Sequence, residues 1–257
     1  MIDDVIEINV RSAVDGTLQP NLFYAAKEKG RPLIVGLHTW SHDRNNQVKA
    51  MLPIAEKNDW NLLLPEFRGS NLRKNPNCRD ACGSQKAKQD IIDAVEYVKN
   101  NYEIDTGNIF VVGASGGGTM ALLMAAYAPK LWRGVCSFVP IADIRVWYDE
   151  NPGYRDSIEA CCEGGLGFDE ECALRSPINY TDKIAEAHVK IFTGKWDAVV
   201  PAHHGLDIYT KIFNDHPEAK VYFEMFNGGH EMPLDAAFDW VETYINNIKK
   251  ARYFVTG

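Results

Sequence analysis

Residues 109–120 read IFVVGASGGGTM. The first six residues are apolar or small and carry no charge, the pattern of a strand buried on both faces. A glycine-rich turn follows at once, and GTMALLMAAYA (118–128) reads as a helix closed by Pro129. Inside the turn, Gly113-Ala114-Ser115-Gly116-Gly117 matches G-x-S-x-G. With ordinary Gly and Ser usage, a chain this long matches that pentapeptide by chance about once in ten. The motif alone therefore decides little, and glycines chosen only to pack a crowded turn are the alternative. Its context is more specific, because a buried strand runs straight in and a helix runs straight out. A nucleophile on such a turn has strained backbone angles, so its neighbours must be small. The first helical N–H groups also face the space above it. A nucleotide-binding reading fails, since GASGGGTM lacks the Lys of a P-loop and the G-x-G-x-x-G of a dinucleotide fold.

The strand at 109–114 has companions. PLIVGLH (32–38), NLLLPEF (61–67), GVCSFVP (134–140), VKIFTG (189–194) and VYFEMF (221–226) are strand-length apolar runs. Helical spacing lies between them, over Gln47 to Asn58, 84–101, and near 202–214 and 234–250. VIEINV (5–10) and LQPNLFYAA (18–26) flank a VDG turn and predict an antiparallel pair. Buried strands alternating with helices predict an α/β fold, a mostly parallel sheet wrapped on both faces, in one domain over residues 1–257. Between Ile141 and Lys190 the strand rhythm lapses, and residues 141–188 are predicted to form a cap or lid insertion.

Bulk properties bound the function. With 257 residues, 46% apolar and 24% charged, the chain can build a core without metal or disulfide. A net charge of −8 argues against nucleic acid or anionic membranes as partners. No apolar run approaches the length that spans a bilayer. MIDDVIEINV has neither the basic start nor the apolar core of a signal peptide, which predicts a cytoplasmic protein, or a secreted one whose leader has been trimmed. No sequence feature demands an oligomer. Among six cysteines, Cys136 reads as a small buried side chain. Cys78, Cys82, Cys161, Cys162 and Cys172 admit three readings: free thiols, one or two bridges, or, with the least support from spacing, a zinc site.

A serine nucleophile needs a base and a group that orients the base. On this kind of turn the chain order is serine, acid, histidine. His38 and His42 precede Ser115, while His188, His203, His204 and His216 fall where surface or capping roles are simpler. His230 lies in NGGHEMP, just past the last strand, at the carboxyl end where open α/β sheets place their sites. The acid belongs one strand earlier, which selects Asp197 in FTGKWDAVVP, with Asp143 as the alternative. Helix capping is the competing reading of Asp197, although the next helix begins near Pro201.

Together these stretches resemble the α/β-hydrolase fold and, within it, the prolyl-oligopeptidase-like group and its esterase relatives. The resemblance rests on PEFRGSN (65–71), DIIDAVEYV (90–98), NIFVVGASGGGTMAL (108–122), RSPINYTDKI (175–184), GKWDAVVP (194–201) and GGHEM (228–232). It implies a Ser115, Asp197 and His230 triad with neither metal nor organic cofactor. It also implies an oxyanion hole built from the Gly116 N–H and a donor in LHTWSHD (37–43). Where the family commonly has His then Gly, this chain has Thr39 and Trp40, and the Trp40 N–H is favoured as the donor. His38, Thr39, Trp147 and Tyr148 are candidate pocket residues, and the Trp40 side chain a candidate wall. The group's peptidases typically add a propeller domain, for which 257 residues leave no room. The expected function is hydrolysis of carboxylic esters, with acetyl or short acyl groups on a small molecule or a polymer, carbohydrate included. An oligopeptide hydrolase is the runner-up, and an inactive binding protein of the same fold is the third reading.

Overall fold

The apolar runs pair into one eight-stranded sheet, seen in a computed structural model that describes residues 4–254, with side chains through residue 245. Residues 1–3 and 255–257, which the one-domain expectation includes, lie outside the described residues, as does the start of the segment read for a signal peptide. The strands are β1 (Ile6–Arg11), β2 (Leu18–Tyr24), β3 (Arg31–Leu37), β4 (Asn61–Pro65), β5 (Ile104–Ala114), β6 (Gly134–Phe138), β7 (Val189–Gly194) and β8 (Val221–Phe226). Their spatial order is β1-β2-β4-β3-β5-β6-β7-β8. The β1–β2 and β2–β4 pairs are antiparallel, and every other pair is parallel. The hairpin read from VDG is thus an antiparallel edge on a parallel sheet.

Alternating side chains feed two cores. Leu33, Val35 and Leu37 of β3 and Ile109 and Val111 of β5 face one layer; Ile34, Phe110 and Val112 face the other. Helices α1 (Val48–Asn58), α2 (Gln85–Asn101) and α3 (Gly116–Tyr127) follow β3, β4 and β5. Met51 and Leu52 of α1 join the second layer, while Ile91 and Val95 of α2 and Leu122 of α3 join the first. Both faces are covered, as continuous apolar strands require.

Between β6 and β7 the chain forms α4 (Ile144–Glu150), α5 (Arg155–Cys162), α6 (Phe168–Leu174) and α7 (Thr181–Ile184). Ile144, Trp147, Ile158, Cys161, Cys162 and Cys172 of this segment share a third cluster with Trp40 and Val200. That cluster seats it on the loops that follow β3 and β7, at the carboxyl end of the sheet. Helices α8 (His203–Asp215) and α9 (Leu234–Phe254) complete the order. Among the described residues no helix is long and apolar enough to cross a membrane.

PEFRGSN makes an unusual turn after β4, with Phe67, Arg68 and Gly69 all at positive φ (32°, 77° and 76°). Two non-glycine residues in that region need outside support. The Arg68 guanidinium supplies it by donating to both oxygens of Asp90 on α2, to Asp15 Oδ2 at 2.9 Å and to Ser12 Oγ at 3.0 Å. The Arg68 and Asp90 side chains are 3% and 1% exposed, so the pair is worth most as a unit: deleting Asp90 leaves the buried guanidinium with Asp15 as its one remaining carboxylate. Asp90→Asn should lower unfolding free energy by about 3 kcal/mol. Urea denaturation checks this, and an unchanged midpoint would refute it.

Candidate active site

Ser115 stands between β5 and α3 with φ 56° and ψ −124°. A non-glycine residue there stores about 1–3 kcal/mol of strain, so its surroundings must hold it. They do so from several directions. Ser115 N–H donates to Phe138 O at 2.9 Å, and Ser115 O accepts from both Thr119 N–H (2.9 Å) and Thr119 Oγ1 (3.1 Å). Ile141 N–H in turn donates to Thr119 Oγ1 at 2.9 Å. The glycines follow from close approach. A Cβ on Gly113 would fall on the Gly117 carbonyl, and one on Gly118 on the Phe138 carbonyl. One on Gly117 would lie 2.7 Å from the carbonyl oxygens of Leu37 and His38. Ser115 is 6% exposed.

Asp197 and His230 are brought together by the sheet itself. The β7–β8 ladder runs on past both strands, with Lys195 N–H to Phe226 O at 3.0 Å and Trp196 N–H to Gly228 O at 2.8 Å. Gly194 is needed because the Gly229 carbonyl occupies the place of a Cβ. One step later His230 Nδ1 meets Asp197 Oδ2 at 2.8 Å. The other carboxylate oxygen accepts N–H groups from Val199 (2.8 Å) and Val200 (2.9 Å). With Nδ1–H donated to a carboxylate, neutral His230 keeps Nε2 as an acceptor. The Asp197 side chain is 0% exposed and that of His230 is 26% exposed, so the acid is dry and the imidazole reachable. Asp197 does cap a turn, that of residues 198–200, but not α8, whose cap position is Ala202. The alternative acid, Asp143, is spent on α4, where Oδ1 accepts from Arg145 N–H at 2.8 Å and Val146 N–H at 3.2 Å. Among the described residues no hydrogen bond joins Ser115 to His230, a contact that often tightens only with substrate in place.

Two backbone donors border the serine. A Cβ on Gly116 would lie 2.8 Å from Trp40 N, so these two peptide groups are immediate neighbours. Neither the Gly116 nor the Trp40 N–H has a partner among the described residues. The Thr39 N–H is occupied, donating to Asn46 Oδ1 at 3.0 Å. Trp40 is clamped from behind by Asn71 N–H to Trp40 O at 2.8 Å, and by its own indole Nε1–H to Ser157 Oγ at 3.0 Å. Asn46, Asn71 and Thr119 were not legible as site residues, because each acts on a backbone group whose placement only the folded loops decide.

The expected pocket residues are divided between a small cavity and the packed core. Trp147 is fully buried, packs edge-on against Trp40 at 5.0 Å, and donates Nε1–H to Val199 O at 2.9 Å. The Trp40 side chain is buried too, and it lines the small cavity beside Gly116. His38 is buried, stacked on Phe67 at 3.8 Å, with its ring nitrogens against Thr39 O and Glu66 O. Burial holds its pKa below the usual imidazole value. Tyr148 donates to Glu159 at 2.6 Å and lies between Arg145 and Arg155. Thr39 Oγ1 bonds His42 Nδ1 at 2.9 Å. Of the expected pocket residues, His38 lines the small cavity beside Gly116, as does Trp40, while Thr39, Trp147 and Tyr148 are not among its lining residues. Beside Gly116, Trp40 and Thr119 lies a cavity of about 10 Å³, room for one water- or methyl-sized group. A different aromatic faces solvent. Trp196, next to Asp197, is 66% exposed, tethered by Nε1–H to Asn227 Oδ1 at 2.9 Å.

Comparison with known proteins agrees with this fold. A family model described as the prolyl oligopeptidase family matches residues 47–246. No curated protein sequence matches the chain. Among solved structures, uncomplexed acylaminoacyl peptidase of Pyrococcus horikoshii superposes with TM-score 0.69 at 20% identity, over 88% of this chain and 37% of that one. The chain thus spans little more than a third of such peptidases. The fluorophosphonate-binding serine hydrolase F of Staphylococcus aureus gives TM-score 0.73 at 16% identity, over 92% of this chain and 97% of that one. An acetyl xylan esterase from Paenibacillus sp. R4 gives 0.67 at 16% identity, over 93% and 84%. At such identities the likeness is one of fold, the α/β-hydrolase fold.

Near the site, Glu150, His203 and His204 are the sole group among the described residues whose donor atoms have metal-like spacing. Hydrogen bonding explains them. His204 Nδ1 accepts from Ala142 N–H at 3.2 Å, so Nε2 carries the proton and donates it to Glu150 at 3.1 Å. A metal on Nε2 would require the opposite tautomer. Burial, chiefly, lowers the His204 pKa and favours the neutral ring in the fold. The unfolded chain, with an ordinary value of about 6.5, binds the proton more readily, so this contribution to stability is present above that value and lost as pH falls below it. Wild type should lose about 1 kcal/mol more than His204→Gln between pH 7.5 and 5.5. Thermal melts at the two pH values test this, and parallel losses would disprove it.

Proposed function

The chain belongs to the prolyl oligopeptidase family of serine hydrolases, and from that premise we propose that it hydrolyses carboxylic esters carrying acetyl or other short acyl groups. The observation that carries the reading is the dry Asp197–His230 hydrogen bond at 2.8 Å, set at the same end of the sheet as a strained Ser115. In the proposed cycle Ser115 Oγ attacks the acyl carbonyl while His230 Nε2 takes its proton. Asp197 holds the tautomer and stabilises the imidazolium. The N–H groups of Gly116 and Trp40 receive the developing oxyanion, a contribution of about a hundred- to thousandfold per donor in related sites. His230 then protonates the departing alcohol, and water repeats the sequence to free the acid.

Two findings support an ester over a peptide. The cavity beside Gly116 and Trp40 holds about one methyl-sized group, which suits acetyl and disfavours a bulky acyl portion. The solved structures whose own length this chain nearly fills include the acetyl xylan esterase and an S-formylglutathione hydrolase of Staphylococcus aureus. The substrate would be a small-molecule or polymer-attached ester. The acylaminoacyl peptidase likeness makes peptide hydrolysis the second reading.

A fluorophosphonate probe should label wild type and not Ser115→Ala; an unlabelled, folded wild type would exclude the enzyme. Asp197→Asn should retain the fold and lower kcat about 10⁴-fold, because the imidazole then loses its tautomer control. Against p-nitrophenyl acyl esters, rates should fall steeply from acetate to octanoate. Turnover confined to aminoacyl-naphthylamides would favour the peptidase reading instead.

A further inference from the structure

Behind the wall of the small cavity beside Gly116 lies a charge without a partner. Gly83 and Arg175 line that cavity, and both also line a second one of about 250 Å³. The start of α2 (Ser84, Gln85, Lys88), the last turn of α6 (Glu171, Leu174) and Tyr180 close it. At that size it takes a small molecule, below the range of about 300–1,000 Å³ usual for drug-sized ligands. No residue of the proposed triad lines it, so ester hydrolysis leaves it without a role.

Lys88 is the residue that needs explaining. It is 9% exposed, and its ammonium makes neither a hydrogen bond nor an ion pair among the described residues. It lies instead over two ring faces, Tyr127 of α3 at 5.5 Å and Tyr180 at 5.9 Å. Such contacts are worth about 0.5–2 kcal/mol each, whereas taking an ion out of water costs several. The other two charges in the walls cancel. Glu171 Oε2 accepts from Arg175 Nε at 3.3 Å and from Nη2 at 3.1 Å. The remaining Arg175 donors go to the carbonyls of Arg79, Ala81 and Cys82. Burial, and then the Arg175 charge, hold the Lys88 pKa below the usual lysine value, as an ammonium lacking a counterion requires.

The helix adds an independent feature. Ser84 Oγ takes the Ala87 N–H at 3.1 Å, but the Gln85 and Lys86 N–H groups have no partner among the described residues. They open a helix of 17 residues, whose dipole puts partial positive charge at the same end. Tyr180 spends its hydroxyl on Leu174 O at 2.9 Å, so this pair offers the cavity an apolar side.

We propose that the cavity binds a small monocarboxylate, its carboxylate paired with Lys88 and accepting from the first N–H groups of α2, its apolar part against Leu174 and Tyr180. One uncompensated cation matches one negative charge, and the apolar side favours an organic acid over inorganic phosphate.

The test uses butyrate, with inorganic phosphate for comparison, at constant ionic strength. In lysine side-chain ¹³C NMR of the full chain, the Lys88 signal should shift and saturate with butyrate, and phosphate should bind more weakly. By amide shifts, Lys88→Met should lose about thirtyfold or more in butyrate affinity. That variant removes a buried charge that has no ionic partner, so it should melt no lower than wild type. Ser115→Ala should bind butyrate as wild type does, whatever the fate of the ester reading. A Lys88 signal that butyrate leaves unmoved would overturn the proposal without recourse to any variant. So would equal butyrate affinity in Lys88→Met, tighter binding of phosphate than of butyrate, or loss of binding in Ser115→Ala.

Discussion

Backbone lies on backbone where α3 leaves β5, and the rest of the site depends on that contact. The first turn of α3 is wedged between the ends of β3 and β6, so close that Gly113, Gly117 and Gly118 have no room for a Cβ. The wedge bends the chain sharply at Ser115 and holds it at positive φ. The same closeness sets the Gly116 peptide against the Trp40 peptide. The strain at Ser115 and the adjacency of the Gly116 and Trp40 N–H groups are therefore two results of one packing constraint.

The other half of the site is built by hydrogen bonding rather than contact. The β7 and β8 ladder continues two residues beyond both strands and delivers Asp197 to His230 with little freedom. Three N–H donors on one buried carboxylate satisfy it without solvent. The inserted helices then act as a brace. Trp147 holds the Val199 carbonyl and Ser157 holds the Trp40 indole, so the segment from α4 to α6 pins both loops from above.

Much of this was legible from residues 109–120 outward. Long apolar runs alternating with helical spacing predict a buried, mostly parallel sheet, and the strand directions and helical layers follow that expectation. Asp197 and His230 were legible because each follows a strand, and a strand's end fixes where its next residues go. The aromatic residues were not. Trp40, Trp147 and Tyr148 are close in space, but the helices around them decide which faces are covered, and no local pattern records that. Asn71 is silent in sequence for a related reason: its value lies in linking Trp40, Cys82 and Cys161, residues 31, 11 and 90 positions away.

By itself the sequence determined the sheet, the turn at Ser115 and the order of serine, acid and histidine, because those rest on periodicity and on small residues at fixed spacing. Tertiary structure alone decided that the Thr39 N–H is taken by Asn46 while that of Trp40 has no partner among the described residues, and that five cysteines are buried in one cluster. Those outcomes turn on hydrogen bonds and burial between distant segments, where a shift of about an ångström changes the partner.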